Sequence, residues 1–241
     1  MIHLLKKEIR SFLSSLIAII VIVVFLLAIG LFMWIFPDSN VLDFGYSNMD
    51  MLFNMAPWVF IFLISAITMR SFSEEKRMGT YESLVTKPIG AAQIIIAKYL
   101  AGLVLVLFSI LPTLIYFYTI YQLGSPIGNL DIGATIGSYF GLLFLGSCYV
   151  AIGLFSSSIT ENQIISFIVS MFLCYFCFSA FEQISKLSAL APIDFLLEWI
   201  GINYHYQSIS RGVLDTRDVI YFLSFTVLFL GLTFKMTEKS K

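Results

Sequence analysis

The chain holds 241 residues, 59% of them hydrophobic, 16% aromatic and only 12% charged, at a formal net charge of -1. Soluble domains average about 45–50% apolar and about 25% charged residues, so this composition is that of a membrane protein. The balanced charge argues against a nucleic-acid partner and against an acidic disordered tail.

Residues 1–13 are expected to form an interfacial helix: Leu5, Ile9, Phe12 and Leu13 recur at helical spacing, with Lys6, Lys7 and Arg10 on the other side. A bilayer core about 30 Å thick takes about 20 apolar residues, each rising about 1.5 Å. Six such runs follow, at about 16–36, 52–69, 94–120, 134–156, 164–181 and 219–234. The first run is longer than the apolar core of a signal peptide, about 7–15 residues, and "WIFPDSN" offers no small-residue cleavage site. It is read as a retained span.

Basic residues divide unequally across these spans. Lys6, Lys7, Arg10, Arg70, Lys76, Arg77, Lys87, Lys98, Lys235, Lys239 and Lys241 fall on one side, and only Lys186, Arg211 and Arg217 on the other. By the positive-inside rule both termini are expected in the cytoplasm. Phe32, Trp34 and Phe36, then Tyr116, Phe117, Tyr118 and Tyr121, suit an aromatic belt at the outer ends of spans one and three.

Between spans two and three, residues 70–93 hold the densest mixed-charge passage, "RSFSEEKRMGTYESLVTKPI", from Arg70 to Ile89. Ser71 and Glu74 stand at capping-box spacing, Gly79 interrupts, Thr80 can cap a second helix, and Pro88 with Gly90 ends it. Two short helices about a hinge are expected, with Tyr81, Leu84 and Val85 as their apolar side.

Gly133, Gly137 and Gly141 repeat every fourth residue at the start of span four, a spacing that lets another backbone pack closely. "SSSITENQ", Ser156–Gln163, is a short connector. Cys148, Cys174 and Cys177 all fall in apolar runs and read as small packing residues. Residues 182–218 are expected to fold back onto the outer face as a re-entrant segment. There Asp194 and Glu198 stand one turn apart, His205 and Arg211 lie among aromatics, and Asp215 and Asp218 have capping spacing before span six. Two acids on one helical face read as a solvated surface, and His3 and His205 stand too far apart in sequence to suggest a metal centre.

The passage "RSFSEEKRMGTYESLVTKPI" resembles the signature of ABC-2 type permease subunits of ATP-binding-cassette transporters. EEK, then GT, E-x-L and T-x-P recur there after the second span, and the matching residues are Glu74, Glu75, Lys76, Gly79, Thr80, Glu82, Leu84, Thr86 and Pro88. Arg77 lies inside the same stretch. "LLKKEIRSFLSS", "YQLGSPIGN" and "ISRGVLDTRDVIYFLS" are more closely similar to the gliding-motility permeases of Bacteroidota. The resemblance implies an all-α polytopic fold of the type V exporter-like kind, forming one permease domain over residues 1–241. Its features are an N-terminal interfacial helix, six transmembrane helices, cytoplasmic coupling helices and re-entrant outer helices before the sixth span. It further implies a bacterial cytoplasmic (inner) membrane, and a separate ABC ATPase subunit as partner that binds the ATP and Mg. A second permease or an auxiliary (GldG-like) membrane subunit is implied as well. The chain contains no GxxxxGK[ST] phosphate loop, so it is expected to bind no cofactor and to be no enzyme.

Three alternatives stand beside this. Glu74 and Glu75 resemble the paired glutamates of prenyl-protein endopeptidases, but Gly79 stands where their arginine belongs. Ion-coupled transport lacks mid-depth ionisable groups in the spans. An ATPase-coupled scaffold or regulator that transports nothing would use the same coupling segment, whose Glu75 is the natural first choice for charge reversal.

Overall fold

The computed structural model describes residues 2–37, 39–45, 47–81, 90–186 and 194–239, and every regular element among them is helical. Six helices among these residues are long and apolar enough to cross a membrane. Span one is Leu16–Trp34 and span two Asp50–Thr68. Span three is Ala91–Ile110 prolonged by Leu114–Leu123, and span four is Ile132–Ile159. Span five runs from Gln163–Tyr175 through to Phe181–Ser185, and span six is Thr216–Lys239.

These helices run past the apolar stretches because caps set their starts. Asp131 accepts from the Ala134 N–H at 2.9 Å, and Asn162 from the Ile164 N–H at 2.9 Å, each satisfying a first-turn donor. Two spans are interrupted. Span three tightens to a 3-10 turn at Leu111–Thr113, where Pro112 lacks the N–H an α-helix needs. Span five widens to a π-turn at Phe176–Ala180.

Span four is the axis of the bundle. Of its most apolar window 72% is buried, against 22% for spans one and six. It packs against spans two, three, five and six. Leu142, Leu145, Tyr149 and Ile152 are wholly covered, and all three cysteines are free and buried. Span one is apolar on every side and leaves Ile19, Ile20, Val23 and Val24 exposed, as a helix facing lipid does.

Pro57 lies inside span two, so the Phe53 carbonyl loses the N–H that would reach back to it. The hydroxyl of Tyr206, from the segment before span six, donates to that carbonyl at 2.7 Å. The outer segment is thereby pinned into the bundle by a backbone group that a proline left open. Its helices, Asp194–Ile200 and Ile202–Ile209, precede a turn in which Gly212 takes φ of +85°. A Cβ on Gly137 would lie 2.8 Å from the Gly212 carbonyl oxygen, and one on Gly141 2.6 Å from Ile209, so span four and the outer segment meet where side chains are missing. Gly133 differs: it has only its neighbour Asp131 close by, because it sits in the capped first turn beyond that contact.

The expected aromatic belt is partly an internal contact. Tyr116 donates to the Leu26 carbonyl of span one at 3.1 Å and meets Trp34 edge-on at 6.3 Å, while Tyr118 is exposed.

Candidate coupling site

The mixed-charge passage opens with a helix at Ser73–Arg77. Its N-terminus is not closed by the expected pairing of Ser71 with Glu74. Phe72 is the cap residue, and the Ser157 hydroxyl from span four accepts from both the Phe72 and Ser73 N–H groups, at 2.9 and 3.1 Å. The capping oxygen comes from another helix, and Glu74 pairs instead with Arg70, in a two-pronged contact at 2.9 and 3.0 Å. Ser157 in turn donates to the Met69 carbonyl at 3.1 Å, and Lys76 donates to the Ser158 carbonyl at 2.6 Å.

Glu75 points inward. Its Oε1 lies 2.9 Å from the ammonium of Lys98, a side chain that is 1% exposed in the first half of span three. The same ammonium donates to the Ser71 carbonyl at 2.7 Å and lies 3.5 Å from Glu8 Oε2 of the N-terminal helix. Three acceptors thus surround a group with three hydrogens. The N-terminal helix, Ile2–Leu13, buries Leu4 and Glu8 and packs on span three, with Leu5 and Phe12 against the core. Lys98, counted from sequence among the basic residues on the cytoplasmic side, is enclosed by protein.

The outward face starts at Arg77. Arg77, Met78, Gly79 and Thr80 are exposed. Gly79 has φ of +66°, the left-handed conformation that ends a helix and favours glycine, so the expected hinge falls there. Thr80 opens the next helical turn and its hydroxyl reaches the Glu75 carbonyl at 3.3 Å. Tyr81 turns back into the protein: it meets Phe72 edge-on, lies beneath the Lys76 ammonium, and donates to the Thr237 carbonyl of span six at 3.3 Å. Burial raises the pKa of its phenol, which keeps it a neutral donor. Glu82, Leu84, Val85, Thr86 and Pro88 lie outside the described residues.

At the opposite end, His205 is buried and held on both ring nitrogens, 2.7 Å from Asp218 Oδ1 and 2.9 Å from the Trp199 carbonyl. Its ring stacks on Tyr221 at 3.9 Å. Asp218 therefore serves His205, and Asp215 is the residue that accepts from the Arg217 N–H at the start of span six. Glu198 accepts from Ser185, Asp194 is exposed on the same short helix, and Arg211 is exposed beyond it. No group of three His, Cys, Asp or Glu among the described residues can hold a metal.

Sequence reasoning missed the partnerships of Glu8, Lys98, Ser157 and Asp218. One signal was present: an ionisable residue in an apolar run needs a partner, and Lys98 sits inside the third.

A bundle of six helices long and apolar enough to cross a membrane, with a mixed-charge segment tied inward and exposed at one end, defines a polytopic membrane protein. The chain belongs to the ABC-2 transporter family: the model described as "ABC-2 family transporter protein" matches residues 2–236. No curated protein matches it. Membership makes it a multi-pass transport component, generally non-catalytic, and implies an ATPase partner in general.

Proposed function

We propose that this chain is the permease subunit of an ABC transporter in a bacterial cytoplasmic membrane, with both termini cytoplasmic. The segment from Arg70 to Pro88 receives a separate ATPase subunit, which holds the ATP and Mg. The closer likeness to gliding-motility permeases supports a place in export or gliding machinery, beside a second permease or a GldG-like auxiliary subunit.

One observation carries this reading. The segment offers Arg77–Thr80 outward, while its inner side is tied to the N-terminal helix and to spans three, four and six through Glu75, Lys76, Tyr81 and the Ser157 cap. A partner pressing on the exposed turn moves a rigid unit joined to four elements. ATP-dependent closure biases the bundle only by what it binds better in one arrangement, and a swing from 1:99 to 99:1 takes about 5.5 kcal/mol of such preference. Arg77→Glu is the informative variant, since Arg77 is exposed and Glu75 is built into the core. It is expected to abolish co-purification of the ATPase and the stimulation of ATP hydrolysis while the permease stays folded. Undiminished recruitment and stimulation would sink the docking assignment. ATP-driven accumulation of cargo in inverted vesicles supports export; hydrolysis without any accumulation supports the scaffold reading.

A further inference from the structure

A cleft of about 710 Å³ lies beside the Lys98 cluster, between the N-terminal helix, the start of span one, the end of span two and the Ser73–Arg77 helix. Its lining is of three kinds. Ser71 and Glu75 lie at its base, and the Ser71 hydroxyl and Glu75 Oε2 have no hydrogen-bond partner among the described residues, although both atoms are shielded from water. Arg70 and Lys7 stand at its edge with 33% and 62% of their side chains accessible. Leu16, Ile17 and Ile67 form an apolar wall that continues onto the exposed side of span one at Ile19 and Ile20.

Charge sharpens what the base lacks. Glu8, Glu75 and Lys98 sum to one net negative charge in a largely buried cluster, and Lys7, 3.9 Å from Glu8, reaches only its outer edge. A buried carboxylate oxygen without a donor is costly, and a hydroxyl four residues away shares the need. One cation carrying several N–H groups meets both. Arg70 is paired with Glu74, which also lines the cleft, and donates to Ser15, so its remaining N–H groups and the accessible Lys7 ammonium are what an anion at the edge would meet; the wall continues along the exposed side of span one.

We infer that the cleft binds a phospholipid with a primary-ammonium headgroup, its ammonium seated against Glu75 and Ser71, its phosphate at Arg70 and Lys7, and an acyl chain along Leu16 and Ile17. Both oxygens are shielded in this arrangement, so seating the ammonium requires the Ser71 and Glu75 side chains to turn toward the cleft they line. A quaternary headgroup carries no N–H and leaves both oxygens unpaired. The assignment needs no ATPase and stands apart from the docking role.

The test uses the full chain in nonionic detergent, with thermal unfolding followed against a short-chain ethanolamine phospholipid, its choline counterpart and free phosphoethanolamine. The ethanolamine lipid is expected to raise the midpoint saturably, at an affinity about tenfold above that of the choline lipid, since an unmet pair of buried oxygens costs that much or more. Ser71→Ala is expected to reduce that difference without abolishing it, since Glu75 keeps its oxygen for the ammonium. It changes one small buried hydroxyl, so it keeps the test open if Glu75→Gln fails to fold. Equal binding of the two lipids, or full discrimination in Ser71→Ala, overturns the assignment. Free phosphoethanolamine binding as tightly as the lipid refutes the lipid as occupant.

Discussion

The two ends of the bundle each bury an ionisable knot, and the knots are built differently. At one end His205 stands between Asp218 and the Trp199 carbonyl with Tyr221 stacked on its ring. Each of its two ring nitrogens has a polar partner within hydrogen-bond distance, so both of its polar contacts are used. At the other end Lys98 faces two carboxylates, and one oxygen of Glu75 has no hydrogen-bond partner among the described residues. A satisfied network fixes one arrangement, whereas an unevenly satisfied one leaves a second arrangement within reach. The first knot fastens the segment before span six; the second joins the N-terminal helix and the Ser73–Arg77 helix to span three.

Replacing the central cation tests this contrast most severely. Lys98→Met leaves Glu8 and Glu75 buried together and is expected to cost about 3–5 kcal/mol, read as a collapse of the unfolding midpoint in detergent. Adding Glu8→Gln and Glu75→Gln should restore most of the loss. Stability that stays low in the triple variant would show that packing, and not charge, made Lys98 essential. Asp218→Ala at the opposite knot is expected to cost about 2 kcal/mol, the range of a bond to a charged group. ATPase stimulation per folded molecule should be unchanged there, and a coupling defect would erase the distinction between the two ends.

Tyr206→Phe removes the donor that fills the Phe53 carbonyl and is expected to cost about 1 kcal/mol, near the upper part of the range measured for hydrogen bonds between membrane helices. The same change in a Pro57→Ala background should cost much less, because the helix then supplies its own N–H. A cost that is identical in both backgrounds would disprove the link between Pro57 and Tyr206. Arg77→Glu should have the smallest effect on stability, within about 0.5 kcal/mol as for exposed substitutions generally, while removing the ATPase.

How much of this was legible from sequence follows from the range of the forces involved. Six membrane-spanning helices could be read from uninterrupted apolar runs, since length and hydropathy are local properties. Helix ends were less legible: the apolar run of span four begins near Ala134, but Asp131 starts the helix. The left-handed turn at Gly79 needed only a glycine after a short helical stretch. By contrast, Ser71 and Glu74 have the right spacing for a reciprocal cap, and that pairing does not form. Ser157, 84 residues beyond Ser73, does the capping, and nothing local announces a partner at that separation. Glu8 carried a weak signal, an acid one turn from Leu4 on the face that packs inward. Its partnership with Lys98 depends on span three lying alongside.

The burial of span four also bears on how the protein is made. Synthesis proceeds from the N-terminus, so spans one to three enter the bilayer before the helix that will cover them. The hydroxyls on their later-covered faces are suited to that interval: Thr68 donates to the Ile64 carbonyl, Ser109 to Leu105 and Thr113 to Ile110, each within its own stretch of chain. Ser65 is different, because its partner Ser170 arrives with span five, and the Phe53 carbonyl waits longer still for Tyr206. Polar groups that look after themselves come first, and those that need a distant neighbour are closed as the last third of the chain is delivered.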